Sequence, residues 1–266
     1  MVIPAAEATP QVPSLELFSL KGKNALVTGG SRGIGAAIAI ALADAGAPVT
    51  IAQRDTSNTQ TVDAIRAKCA KAQALACELG DVEAAKGIFQ RALDVNDGKI
   101  DILVNCGGVL KRNPSLSATE EEWNTVFDVN VKSLFFICQA AGRHMVPRRS
   151  GKIINVASIN SFVGGENHAP YSASKGAVSQ LTKALSNEWA KHNVQVNALA
   201  PGYVATDMNV TIRPNEEETT AAIDGLPAGR WGRPADYAGP AVFLASNASQ
   251  YVSGEVLVVD GGLLAK

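Results

Sequence analysis

Seven short apolar runs rich in β-branched residues punctuate the chain, at residues 24–28 (NALVT), 48–53 (PVTIAQ), 73–78, 100–105 (IDILVN), 151–157 (GKIINVA), 193–199 (NVQVNAL) and 255–259 (EVLVV). Most of them lack the in-out alternation of a half-exposed strand, so they predict strands buried on both faces, the signature of a parallel sheet. The intervals between them carry helical period. Ile34, Ile38 and Leu42 recur every four residues after Gly33, and Val178, Leu181, Leu185 and Trp189 do the same in a segment that begins near Tyr171. Each series lays an apolar stripe along one helix face. The expected fold class is α/β: a Rossmann-type, doubly wound, seven-stranded parallel sheet with helices on both faces.

No composition shift, linker or repeat divides residues 19–266, which predicts a single domain. Two stretches break the regular spacing. Residues 1–18 contain three prolines and scattered small residues, and are expected to form a flexible arm. Residues 202–234 make an unusually long interval between a strand and a helix, as substrate lids do.

Composition narrows the function classes. With 24 basic and 25 acidic residues the net charge is -1, which offers no long-range attraction to nucleic acid or to an anionic bilayer. No run of 18 apolar residues or secretory pattern is present, so a cytoplasmic protein without a membrane partner is expected. Cys69, Cys77, Cys106 and Cys138 lie 8, 29 and 32 residues apart, without the close pairs of a zinc site, and with only three His no metal is expected.

Two patterns carry chemistry. The first strand runs through Thr28-Gly29-Gly30-Ser31-Arg32-Gly33-Ile34-Gly35 straight into a helix. Glycines at the carboxyl end of a first strand let backbone approach a pyrophosphate, and the helix behind them offers free N–H groups at its positive dipole end. That context favours dinucleotide binding over an ordinary tight turn. The second pattern is Tyr171 and Lys175, four apart on one helix face, with Ser158 placed 13 residues before Tyr171 at a strand end. A free tyrosine titrates near 10, and an ammonium about 5 Å away at an effective dielectric of about 20 favours the phenolate by roughly 3 kcal/mol, or about 2 pK units. A neutral-pH acid/base is the expected result.

Together these motifs resemble those of the short-chain dehydrogenase/reductase family, whose Thr-Gly-x3-Gly-x-Gly pattern the turn reproduces. The resemblance continues through Asn105-Cys106-Gly107-Gly108 (usually Asn-Asn-Ala-Gly in the family), Asn130, Ser158, Tyr171 with Lys175, Pro201-Gly202 with Thr206, and VDGG at 259–262. It implies hydride transfer between nicotinamide and a carbonyl or alcohol carbon. Tyr171 is then the acid/base, Ser158 the hydrogen-bond partner of the reacting oxygen, Lys175 a holder of the nicotinamide ribose, and Asn130 the positioner of a relay water. For the cofactor it implies Gly29, Ser31, Arg32, Gly33, Ile34, Gly35, Gln53, Arg54, Glu78, Leu79, Asn105, Gly107, Pro201, Gly202, Val204 and Thr206 as the lining, together with Tyr171 and Lys175. Members of the family are typically homotetramers.

Cofactor choice turns on the end of the second strand, where an acidic residue would bind the adenosine ribose and repel a 2′-phosphate. Gln53 stands there, followed by Arg54, so NADP(H) is favoured over NAD(H), with Arg32 and Arg54 as a phosphate clamp. Outside the shared motifs the chain resembles members acting on sugar acids, of the 2-deoxy-D-gluconate 3-dehydrogenase type, which commonly use NAD(H). The residues that carry this are Leu17-Phe18-Ser19-Leu20, Asn187-Glu188-Trp189-Ala190 and Pro227-Ala228-Gly229-Arg230-Trp231-Gly232. A sugar-acid carboxylate needs a cationic partner, and Lys111, Arg112 and Arg213 are candidates, with His168 three residues before Tyr171 also placed to face a substrate. A 3-oxoacyl-thioester reductase and a non-catalytic NADP(H)-sensing regulator remain as alternatives.

Overall fold

A computed structural model of the chain describes residues 13–68, 70–212 and 225–266. All seven expected strands form: β1 (Ala25–Thr28), β2 (Val49–Gln53), β3 (Ala72–Ala76), β4 (Ile102–Asn105), β5 (Gly151–Val156), β6 (Val194–Pro201) and β7 (Val256–Val259). They make one parallel sheet in the order β3-β2-β1-β4-β5-β6-β7. Every residue of β1, β2, β4, β5 and β6 is buried, which explains why those runs read as continuously apolar. Only the edge strands β3 and β7 show partly exposed positions.

The helices among the described residues are α1 (Gly33–Asp44), α2 (Gln60–Arg66), α3 (Val82–Asp94), α4 (Glu120–Phe127), α5 (Ser133–Arg148), α6 (Ala169–Trp189) and α7 (Ala238–Ala245). Successive strand residues point to opposite faces, so each strand feeds two cores. Leu26, Leu103, Ile153 and Val196 pack with Phe89 of α3, Ile137 of α5 and Val178 of α6. Val27, Val104, Ile154 and Leu199 pack with Ile38 and Leu42 of α1, Ile65 of α2 and Leu244 of α7. Each such side chain, fully buried, contributes about 1.5–3 kcal/mol of transfer free energy.

A polar ladder crosses the first of these cores. Asn105 Nδ2 donates to Asn155 Oδ1 at 3.0 Å, Asn155 Nδ2 to Thr182 Oγ1 at 3.0 Å, and the Thr182 hydroxyl to the Val178 carbonyl at 2.9 Å. The two asparagines are register partners on β4 and β5, so the ladder joins two central strands to α6.

Strand order reverses between β1 and β4, which opens a crevice beyond their carboxyl ends at Thr28 and Asn105. Of the expected arm, residues 13–18 are described and include a single 3-10 turn, Glu16–Phe18, with the Phe18 ring 6.4 Å from that of Phe243. Of the expected lid, residues 213–224 lie outside the described residues, Arg213 among them, and a 3-10 helix spans Asp207–Ile212. No helix among the described residues is long and apolar enough to cross a membrane, and no group of His, Cys, Asp and Glu among them could hold a metal ion.

Candidate active site

The crevice gathers the ends of β1, β4 and β5 with the first turns of α6. Pro170 near the start of α6 presets the helical φ, which places Tyr171 in the first turn and Lys175 one turn on. Lys175 is 6% exposed, and its Nζ donates to the Val156 carbonyl at 2.7 Å while standing 5.6 Å from the centre of the Tyr171 ring. Ser158 follows β5 directly, is buried, and hydrogen-bonds Tyr171, which favours the phenolate.

Burial works the other way and wins. The Tyr171 phenol is pushed above its ordinary value by desolvation, against the Ser158 hydrogen bond and the charge of Arg112. The lowering expected from Lys175 is therefore not what the site shows. The reason is that the ammonium is itself buried and committed to Val156, and desolvation brings its own pKa down to about 8. The resting Tyr171 is a proton donor.

Asn130 lies in a five-residue π-helical stretch, Asp128–Lys132, between α4 and α5. Its amide grips the loop after β4 at both ends: Val109 N–H donates to Oδ1 at 2.8 Å, and Nδ2 donates to the Val109 carbonyl at 3.0 Å and to Ser174 Oγ at 3.1 Å. The side chain thus fastens that loop to α6. A Cβ added at Gly108 would stand 3.2 Å from Asn130 Oδ1 and 3.8 Å from Lys175 Nζ, so both groups border that glycine.

A second cluster, which the sequence did not reveal beyond His168, borders Tyr171. The His168 ring meets the Tyr171 ring edge-on at 6.0 Å. Asn160 Nδ2 donates to His168 Nε2 at 2.6 Å and to Ser172 Oγ at 3.1 Å, and the Asn160 N–H donates to Ser158 Oγ at 3.2 Å. Accepting at Nε2 puts the ring proton on Nδ1, which is turned toward the Glu166 backbone but meets no partner at hydrogen-bond distance. Burial and Arg112 lower the His168 pKa, so the ring is neutral at pH 7. Asn160 lies only two residues from Ser158, but its link to His168 depends on how the loop after β5 folds back.

Arg112 is exposed and forms no salt bridge among the described residues, yet its charge reaches both Tyr171 and His168. Lys111 is exposed as well and acts instead on Glu122 of the α4 capping box. Cys106, one residue past β4, is near enough to Lys175 to feel its charge, while burial pushes its thiol up to about 11.

The glycine-rich turn has the shape a dinucleotide needs. Gly29 holds φ +66°, and a Cβ there would lie 2.7 Å from Gly107 Cα; at Gly35 it would lie 2.3 Å from the Gly29 carbonyl oxygen. The N-terminus of α1, where Gly33, Ile34 and Gly35 begin the helix, has no side-chain cap from Arg32. The Ser31 carbonyl accepts from Thr61, and Gly33 faces Thr206 across the cleft. Gln53 Oε1 and Asn105 Oδ1 are buried acceptors without a partner among the described residues, at the carboxyl ends of β2 and β4 where ribose and adenosine hydroxyl and amino groups would come. The residues present therefore fit a nicotinamide dinucleotide.

Elsewhere the lining is arranged differently from a simple clamp. Gln53 is buried with its Nε2 spent on the Asp55 and Asn58 carbonyls. Arg54 Nε stands 3.9 Å from Glu78, and Arg32 pairs with Asp207 at 2.9 Å. Glu78 Oε1 accepts from Gly80 N–H, and Asp81 caps α3. Leu79 covers Gly107, where a Cβ would meet its Cδ1 at 2.2 Å. Pro201 ends β6, Gly202 abuts Asp260, and Val204 is buried and bridged to Gly232.

Comparison with known proteins agrees with this geometry. A family model described as enoyl-(acyl carrier protein) reductase matches residues 29–264. The chain is 43% identical over 253 residues to 2-dehydro-3-deoxy-D-gluconate 5-dehydrogenase of Escherichia coli K12, covering 95% of this chain and 99% of that one. It is 42% identical over 250 residues to gluconate 5-dehydrogenase of Gluconobacter oxydans, covering 93% and 97%. A solved gluconate 5-dehydrogenase from Burkholderia cenocepacia, in complex with NADP and tartrate, superposes with a TM-score of 0.90 at 37% identity, covering 96% of this chain and all of the other.

Proposed function

The chain belongs to the short-chain dehydrogenase/reductase family, and from that premise we propose that it interconverts a secondary alcohol and a ketone on a sugar acid of the gluconate type. The observation that carries the substrate class is Arg112, an exposed guanidinium with no ion-pair partner among the described residues, beside the proton donor Tyr171. It gives a carboxylate a charge-assisted contact while the reacting carbon sits at the phenol. Sugar-acid activities in the names of relatives and the tartrate held by the Burkholderia enzyme support the same class.

When bound, the nicotinamide dinucleotide supplies or accepts the hydride and, oxidised, adds a positive charge to the site. In reduction Tyr171 gives its proton to the carbonyl oxygen, which Ser158 holds by a hydrogen bond; in oxidation Tyr171 takes the hydroxyl proton. Lys175 and Asn130 hold the loops around them, and His168 and Arg213 are further substrate candidates, the latter outside the described residues. We favour NADP(H) over NAD(H), because Gln53 is neutral and Arg54 and Arg32 are exposed, in ion pairs whose strength at such exposure is small. The NADP bound in the Burkholderia relative supports this.

We place the enzyme in the cytoplasm, supported by the free thiols of Cys77, Cys106 and Cys138, and as a homotetramer, supported by the exposed Tyr251 and Val258 at the β7 edge. An initial-rate screen of keto-sugar acids against acetoacetyl thioesters, with NADPH and NADH, tests the reading. Preference for the thioesters would replace it with an acyl reductase, and absence of hydride transfer to any carbonyl would point to a sensor.

A further inference from the structure

Strand β5 carries its catalytic serine just past its carboxyl end, yet its second residue, at the opposite end, is a lysine. Lys152 is 8% exposed, flanked in register by Ile102 on β4 and Gln195 on β6. A cation inside a central parallel strand is rare, because both faces are covered. Six residues at about 3.3 Å each put it about 20 Å from Ser158.

The ammonium has three protons to place and poor partners for them. Its neighbours are the carbonyl and hydroxyl of one residue, Ser249, at 3.3 and 3.4 Å. The Ser249 hydroxyl already donates to the Leu244 and Ser246 carbonyls. Lys152 opens instead on a cavity of about 160 Å³ lined by Lys23, Asp101, Asn193, Gln195 and Gln250 among others. The Lys23 ammonium makes no hydrogen bond or ion pair among the described residues and adds its positive charge to that of Lys152. The carboxylate of Asp101 is already taken up by Asn24 N–H at 2.9 Å, Arg148 at 3.3 Å and Lys99 at 3.6 Å. Arg148 and Lys99 thus take up the Asp101 carboxylate, while Lys152 and Lys23 line the cavity with no ion-pair partner among the described residues. Burial and Lys23 together bring the Lys152 pKa down to about 8.

We propose that this cavity at the amino ends of β4, β5 and β6 is a binding site for a small oxyanion, held by Lys152 and Lys23 with the amides of Asn193, Gln195 and Gln250 around it. Its volume is that of about five water molecules, which suits a tetrahedral oxyanion or a short carboxylate and excludes a nucleotide. The site is separate from the catalytic crevice and does not depend on the substrate proposed above.

The test uses calorimetric titration of the NADP+-saturated protein with sodium sulfate at pH 8, at constant ionic strength, in two buffers of different ionisation enthalpy. Sulfate does not titrate there, so any proton taken up belongs to the protein. Saturable binding is expected with net proton uptake, since the lowered Lys152 pKa leaves part of the side chain unprotonated before binding and a bound dianion favours the ammonium. Lys152→Arg should bind sulfate without proton uptake, Lys152→Met should weaken binding tenfold or more, and Lys23→Met should weaken it several-fold. Heats that do not saturate, or that persist unchanged in Lys152→Met, overturn the proposal. If Lys152→Met does not fold, unchanged proton uptake in Lys152→Arg overturns it equally.

Discussion

Lys175 reaches past Tyr171 and fastens itself to the last residue of the strand that leads to Ser158, its Nζ 2.7 Å from the Val156 carbonyl and 5.6 Å from the tyrosine ring centre. The ammonium therefore ties α6 to β5, and holds the acid and its hydrogen-bond partner at a set separation. Removing the phenolic oxygen leaves that tie intact. Tyr171→Phe should bind NADPH within about threefold of the parent, as read by nucleotide fluorescence, yet lose about 10² to 10⁴ in kcat. Near-parental turnover would take Tyr171 out of the chemistry.

The carboxylate contact proposed for Arg112 predicts that Arg112→Leu raises KM for keto-sugar acids by about 10 to 100-fold, the scale of one charge-assisted contact. Rates with a small uncharged ketone should change little. Equal losses on both substrates would show that Arg112 acts on Tyr171 alone.

Arg54 and Glu78 face each other just past the carboxyl ends of β2 and β3. Substituting Arg54→Asp should lower kcat/KM for NADPH by tenfold or more and leave NADH within a few-fold, because a carboxylate repels the 2′-phosphate. A parent enzyme with equal kcat/KM for both cofactors would remove the basis of the preference.

Gly165 leaves room for the His168 ring: a Cβ there would lie 2.0 Å from Nε2 and 2.9 Å from Asn160 Nδ2. Gly165→Ala should displace the ring from Asn160 and reduce kcat/KM for sugar acids tenfold or more, with thermal unfolding nearly unchanged since the loop is outside both cores. Parental kinetics would show that the His168–Asn160 contact is not used.

Lys152 has a pH signature. Its folded pKa of about 8 lies below the ordinary lysine value, so between about pH 8 and 10.5 the unfolded chain binds more protons and stability rises with pH. Cys106, half-buried and with its pKa pushed up to about 11 by desolvation, opposes this above pH 9. Between pH 7 and 9 the parent should therefore gain about 1 kcal/mol relative to Lys152→Met in urea unfolding. A constant difference would mean that the ammonium is not desolvated.

The seven strands were legible because burial on both faces leaves an uninterrupted apolar run, and boundaries moved only where pairing rather than composition sets them. β6 extends to Pro201, two residues beyond its apolar run, because it pairs with Val259 across the sheet. Tyr171, Lys175 and Ser158 were legible through spacing. The direction in which Tyr171 titrates was not, since desolvation belongs to the packed site rather than to neighbours in the chain. Asn160 and Lys152 escaped for the same reason: each acquires its meaning from residues brought to it by folding, His168 in one case and Lys23 in the other.

The ladder Asn105–Asn155–Thr182 works as an alignment key for the chemistry. Asn155 precedes Ser158 by three residues, and Thr182 follows Tyr171 by eleven on the same helix. The hydrogen bond between them fixes how far α6 can slide along β5, and a slip of one residue along a strand would carry the serine hydroxyl about 3.3 Å away from the phenol. The spacing of Tyr171 and Ser158 is thus gauged from inside the sheet, by side chains buried in its core.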